Sequence, residues 1–169
     1  MGAFEGMTEA KRGYNSNAYT EGDCIARIDR CDHFEAKQTG EKYKVTLTIL
    51  AVNEGPHKVG EVVTATFSKN HGADIYNGNI KGFIAGVLGV EDPQVGPEET
   101  LQTLDPEQIL RGEVCRCRAA RRLSKKSVNV TTKEPNQYSV YTWYPRMEKP
   151  EILAAIGEEG VKRFFPNGL

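Results

Sequence analysis

The residues best suited to recognition chemistry lie between Arg111 and Tyr144. Arg111–Leu123 alternates as a strand should, which puts Arg116, Arg118 and Arg122 on one side and Cys115, Cys117 and Ala119 on the other. A polar, Lys-bearing stretch follows, and Gln137–Tyr144 closes it as a second strand rich in aromatics. From Arg111 to Lys133 there are eight Lys or Arg and one acid, a local charge of +7 in a chain whose total is −1. Phosphates favour positive charge and bases favour flat rings, so a cationic strand beside an aromatic one suits single-stranded nucleic acid. The opposite charge is collected just upstream, where Glu91–Leu110 holds six acids and no Lys or Arg. Local potential, felt over a Debye length of about 10 Å, decides what a polyanion meets. The acidic block is therefore expected to shield the groove from duplex.

Other chemistry is sparse. His33, His57 and His71 sit in or beside expected loops without a carboxylate at ligand spacing. The chain has no phosphate loop, nucleophile elbow or His-Glu-x-x-His motif. Gly55–Gly60 lacks the Lys-Ser/Thr ending of a phosphate loop and reads as a turn. Cys24, Cys31, Cys115 and Cys117 lack Cys-x-x-Cys spacing and are expected to be buried free thiols. No enzyme activity, cofactor or metal is expected.

The elements that must position these groups can be read in order. Residues 1–21 are Gly-, Asn- and Ser-rich and are expected to form a flexible arm. Cys24–Phe34 is a strand whose imperfect alternation suggests a bulge. In Lys42–Val52, the clearest strand, Tyr43, Val45, Leu47, Ile49 and Ala51 should share one face. Glu61–Ser68 is a third strand. The period then changes: Ile80, Phe83, Ile84, Val87 and Leu88 define one face of a helix over 74–88. Gly78, Gly82 and Gly86 recur along it and should allow close approach to a barrel. Glu91–Thr103 reads as a linker, and Asp105, Pro106 and Gln108 signpost a short helical turn. After the basic hairpin, Glu148–Phe165 reads as a short helix broken at Gly157 and Gly160.

Strand, strand, strand, helix, strand, strand is the connectivity of an OB-fold. The expected class is mainly β: a five-stranded Greek-key barrel with a helix between strands three and four, plus a short C-terminal helix. The divisions are an arm at 1–21, the barrel at 22–145 and a helical tail at 146–169. With 38% hydrophobic and 27% charged residues the composition is that of a soluble globular protein. No apolar run approaches the roughly 20 residues of a membrane helix. Met1–Met7 shows no export signal, so a cytoplasmic protein is expected.

The chain resembles phage-encoded single-stranded-DNA-binding proteins of the OB-fold type. The resembling stretches are Gly22–Ile28, Thr39-Gly40, Ile80–Ile84, Leu110–Val114 and Tyr141–Pro145. The resemblance implies sequence-tolerant binding of single strands in replication or recombination, in the host cytoplasm. The tail Lys162–Leu169 keeps Phe but lacks the acidic run by which many such proteins recruit replication or recombination partners.

The barrel groove should be lined by Lys37, Lys42 and Lys44 from the first loop and second strand, and by Arg116, Arg118, Arg122, Lys125 and Lys126 from the fourth strand and its loop. Phe67, Tyr138, Tyr141 and Trp143 are the candidate stacking rings, with Phe34 beside them and Tyr43 expected on the core side. A homo-oligomer is compatible with the sequence. A second reading, of another class, is a barrel-shaped interaction or structural protein, a virion component or host-enzyme inhibitor, whose basic hairpin meets an acidic protein.

Overall fold

A computed structural model describes residues 17–37 and 40–169, apart from the side chains of His71, Pro93, Lys126 and Ser127. The chain is mainly β. Six strands, β1 (Asn17–Ala18), β2 (Gly22–Ala36), β3 (Gly40–Glu54), β4 (Val62–Ser68), β5 (Val114–Val128) and β6 (Pro135–Trp143), form one mixed sheet in the order β1-β4-β3-β2-β5-β6. Three helices accompany it: α1 (Ala73–Leu88), α2 (Pro97–Gln102) and α3 (Lys149–Phe164).

The sheet curls into a half-barrel because its inner face is apolar and must close on itself. Alternate residues of β2–β5, among them Cys24, Ala26, Ile28, Val45, Leu47, Val63, Ala65, Cys115 and Cys117, turn inward and are buried. α1 plugs the interior with Tyr76, Ile80, Phe83, Ile84 and Val87. β4 and β6 are not paired, yet Phe67 on β4 meets Tyr141 on β6 edge-on at 5.7 Å between ring centroids. All four cysteines are buried free thiols.

The gap between β4 and β6 is filled from the N-terminal side. β1 pairs parallel with β4, Asn17 opposite Val63 and Ala18 opposite Thr64. On its other flank the Tyr141 hydroxyl donates to the Tyr19 carbonyl (2.5 Å) and the Ser139 hydroxyl to the Thr20 carbonyl (2.8 Å). The Tyr19 ring is 1% exposed, and its hydroxyl donates to the Cys117 carbonyl at 2.7 Å. Residues 17–20 are thus a built part of the barrel, where a flexible arm was expected; residues 1–16 lie outside the described residues.

Three other expectations need correction. Ala51 pairs with Ile25 while Ile49 pairs with Ala26, so Leu50 is the extra residue of a β-bulge. Beyond it the faces exchange: Val52 instead of Ala51 joins the inner core, and Leu50 turns outward. The Leu104–Leu110 segment forms turns instead of a helix, with a cis Asp105–Pro106 bond. Gln108 there takes a positive φ and buries its amide against β2, accepting from Cys31 N (3.0 Å) and donating to Cys31 O (2.7 Å). A side-chain amide stands in for a neighbouring strand, and that competes with helix formation. The acidic linker, conversely, contains α2, begun by Pro97, with the Glu99 carboxylate accepting from Gly96 N.

α3 lies on the outer face. Ile152 packs with Leu50 and Val114, and Ile25, Met147, Ile156, Phe164, Phe165 and Leu169 surround them. The helix kinks at Gly157 (φ 73°), as expected there, and runs on through Gly160. Among the described residues no helix is long and apolar enough to cross a membrane.

Candidate nucleic-acid interface

The β5–β6 register decides which side chains can act together. Cys117 stands opposite Trp143, Arg118 opposite Thr142, Ala119 opposite Tyr141, Ala120 opposite Val140 and Arg122 opposite Tyr138. The ladder continues where Tyr144 N donates to Arg116 O at 3.1 Å. Directly opposed residues share a face. The outer face of the hairpin therefore carries Arg116 beside Tyr144, Arg118 beside Thr142 and Arg122 beside Tyr138.

Burial takes three expected stacking rings off the surface. Trp143 is 8% exposed and meets Phe83 of α1 edge-on at 4.6 Å. Phe67 is 3% exposed, between Tyr43 and Tyr141. Tyr141 is half-buried and packed on the core. The inner face has the same parity as the thiols, so these rings complete an aromatic core and offer no open π-face to a base. Burial pushes the Cys31 and Cys115 thiols up to about 12 and raises the Tyr141 phenol. Tyr43 is in the core, on the side expected of it. The rings left on the outer face are Tyr138, 49% exposed, half-buried Tyr144 and, on β2, Phe34.

The arginines differ in how free they are. Asp23, buried on β2, accepts from Arg116 through both oxygens, Nε to Oδ1 at 2.9 Å and Nη2 to Oδ2 at 2.6 Å. Asn53 Nδ2 donates to Oδ1 at 3.2 Å, and Arg118 Nη1 lies 3.7 Å from Oδ2. Hydrogen bonding from Arg116 holds the Asp23 carboxyl below the ordinary carboxylate range, against its burial. Arg116 also lies over the Tyr144 ring, 4.5 Å from its centroid. Its guanidinium is clamped and partly neutralised, whereas Arg118 is tied more loosely, to Asp23 and at 4.0 Å to Glu54. Arg122 is exposed and donates to the Arg121 carbonyl at 3.2 Å; Lys125 is exposed. The side chain of Lys126 lies outside the described residues.

Lys42 and Lys44 lie elsewhere on the outer face. Lys42 pairs with Phe34 and Lys44 with Asp32, and the Lys44 ammonium lies 5.9 Å from the Phe34 ring centroid. Exposed Lys37 follows at the end of β2. Arg118 pairs with Asp23, nine residues back along the same strand, roughly 30 Å of chain. The candidate basic residues thus form two clusters at the two ends of β2, and α3 covers apolar surface between them. The end of the acidic block lies near the Lys42 end of β2, where Gln108 holds Cys31 and Arg30 bonds Asp105, whereas its start follows Gly89, which faces Pro145 just beyond β6. Asp23 and Tyr144 are site residues that sequence reasoning missed. Tyr144 has the parity of Tyr138, and that signal was available. The partner of Asp23 requires the β2–β5 register.

No protein-family model matches the chain, and no curated protein is significantly similar to it.

Proposed function

We propose that the protein binds single-stranded DNA, with little sequence preference, along the outer face of the β5–β6 hairpin in replication or recombination. The observation that carries this reading is the outer face of the hairpin, where Arg116, Arg118 and Arg122 on β5 lie beside β6, with a ring opposite the first and the last (Tyr144 and Tyr138) and Thr142 and the Ala120–Val140 pair between them. Arg118 and Arg122 would meet phosphates, and Tyr138 would stack on a base. Six strands are present where five were expected, and the order β4-β3-β2-β5-β6, with α1 between β4 and β5 and β1 added beside β4, is compatible with an OB-fold and supports the reading. Lys42, Lys44 and Phe34 would then form a second contact for a longer strand.

The test is polarisation of a labelled oligo-dT over a salt series. The buried Trp143 makes tryptophan quenching a poor readout. Arg122→Glu with Tyr138→Ala changes two exposed side chains that hold nothing buried. Loss of one stack, about 1–3 kcal/mol, together with a phosphate contact should weaken binding about a hundredfold at low salt. Absence of binding by the wild type, or an unchanged affinity in the double variant, would overturn the proposal.

A further inference from the structure

The β5–β6 hairpin runs past the body of the sheet. β2 begins at Gly22, opposite Ala119, so β5 beyond that point pairs as a strand with β6 alone, and Arg121 Nη2 donates to Thr20 Oγ1 at 3.3 Å where the hairpin leaves the sheet. From Arg121 to Tyr138 the described side chains are exposed except for Ser124, which is half-buried. The projecting part of β5, Arg121–Val128, amounts to about 25 Å of strand. Its turn is well formed: Asn129 Oδ1 accepts from Thr131 N (2.8 Å) and Thr132 N (3.0 Å), and Lys133 N donates to Asn129 O at 2.8 Å. This ordered tip holds Val130 out at 94% exposure, with Val128 also exposed and Lys125 and Lys133 nearby in sequence. A structured turn that offers an aliphatic side chain between cations is shaped as a plug.

At the other end of β2 is a cleft of about 550 Å³ between α1, α2 and the β2–β3 end. Its lining includes Tyr43, Ile80, Val95, Leu101 and Leu104, with Lys81 among the few charged residues. Leu101 is 64% exposed at its edge. The segment that forms one wall carries exposed Glu91, Asp92 and Glu98. The cleft is largely apolar within, Glu41 and Lys81 being its lining charges, and the exposed acids of the adjoining segment flank it, the complement of the arm tip. Tyr43, in the cleft, pairs with His33, eleven residues along β2 from Gly22 where the arm departs. That is roughly 35 Å of strand in the opposite direction, so an arm cannot fill the cleft of its own chain.

We propose that the protein self-associates head to tail, the arm tip of one copy seating Val130 in the cleft beneath α2 of the next. Such a contact is heterologous: a complex of any size keeps one free tip at one end and one free cleft at the other, and assembly continues as an open chain. Its charged rim makes it weaken with salt. It needs no nucleic acid and stands or falls apart from the DNA-binding proposal.

Sedimentation velocity of the full chain over a wide concentration range, at low salt, tests it. The wild type should form a concentration-dependent series of oligomers. Val130→Asp removes the plug and Leu101→Arg blocks the cleft, both at exposed positions, and each variant alone should be monomeric. An equimolar mixture of the two keeps one working tip and one working cleft, so it should give a one-to-one dimer and nothing larger. If either variant folds poorly by circular dichroism, Lys133→Glu and Glu98→Lys replace it with the same expectations. A wild type that stays monomeric throughout, variants that associate as the wild type does, or a mixture that stays monomeric would each overturn the proposal. The first of these outcomes would leave the cleft to a basic peptide of another protein.

Discussion

At the scale of single residues, Asp23 organises the candidate interface more than any arginine does. A buried carboxylate that accepts from Arg116 through both oxygens fixes the direction of that guanidinium and draws Arg118 to 3.7 Å, and removing Arg116 leaves a charge in the wrong surroundings. Arg116→Glu, the obvious charge reversal from sequence, would set a second carboxylate against Asp23 and test folding more than binding. The pH dependence has a defined sign. Hydrogen bonding from Arg116 depresses the Asp23 pKa, so the folded form binds that proton more weakly than the unfolded chain does. The stabilisation is complete above the ordinary Asp pKa of about 4 and is lost as pH falls through the lower, folded value. Thermal melts from neutral to acid pH should show the wild type losing Tm more steeply below that point than Asp23→Asn. Parallel curves would remove the clamp from the account. The arginine face was legible from alternation alone. Tyr141 and Trp143 were misplaced because two strands can each alternate correctly while only their register says which faces coincide.

At the scale of elements, α1 was the most legible, because its apolar spacing has a single solution on a helix. Its three glycines looked equivalent in sequence and are not. A Cβ on Gly86 would lie 2.6 Å from the Trp143 carbonyl oxygen and 2.9 Å from the Trp143 Cβ, whereas Gly78 and Gly82 have nothing within 4 Å. Only Gly86 is needed for the helix to seat against β6. Gly82→Ala should raise stability by about 0.5–1 kcal/mol through helix propensity. Gly86→Ala should lower it despite the same propensity gain, since the clash is with backbone that cannot swing aside. Urea denaturation of the pair checks this, and a stabilised Gly86→Ala would mean that α1 sits further from β6. The β-bulge at Leu50 and the turns around Gln108 were illegible for a related reason. Each exists to meet a distant element: Leu50 goes to Ile152 of α3, and the Gln108 amide goes to the backbone of Cys31. No local pattern encodes that partner.

At the scale of the whole molecule, the question is how a curled sheet with unpaired edges is closed. β4 and β6 approach through their rings but leave their facing backbone groups unpaired with each other, an arrangement that costs stability unless something fills the gap. Residues 17–20 fill it with backbone pairing on one side and accepted hydroxyl bonds on the other, and Tyr19 reaches through to the Cys117 carbonyl. The seal therefore governs access to the thiols beneath. In the wild type the four cysteines should react with a thiol reagent only on unfolding, because all are buried and Cys31 and Cys115 have their pKa pushed up to about 12. Tyr19→Phe removes the hydroxyl bond alone and should cost about 1 kcal/mol, with the thiols still protected. Tyr19→Ala removes the ring and should cost about 3–5 kcal/mol. It should also open the seam, so that Cys117 labels ahead of global unfolding. Mass-spectrometric mapping of labelled thiols under native conditions distinguishes the two variants. If Cys117 in Tyr19→Ala remained as protected as in the wild type, the sheet would be closing without its N-terminal segment.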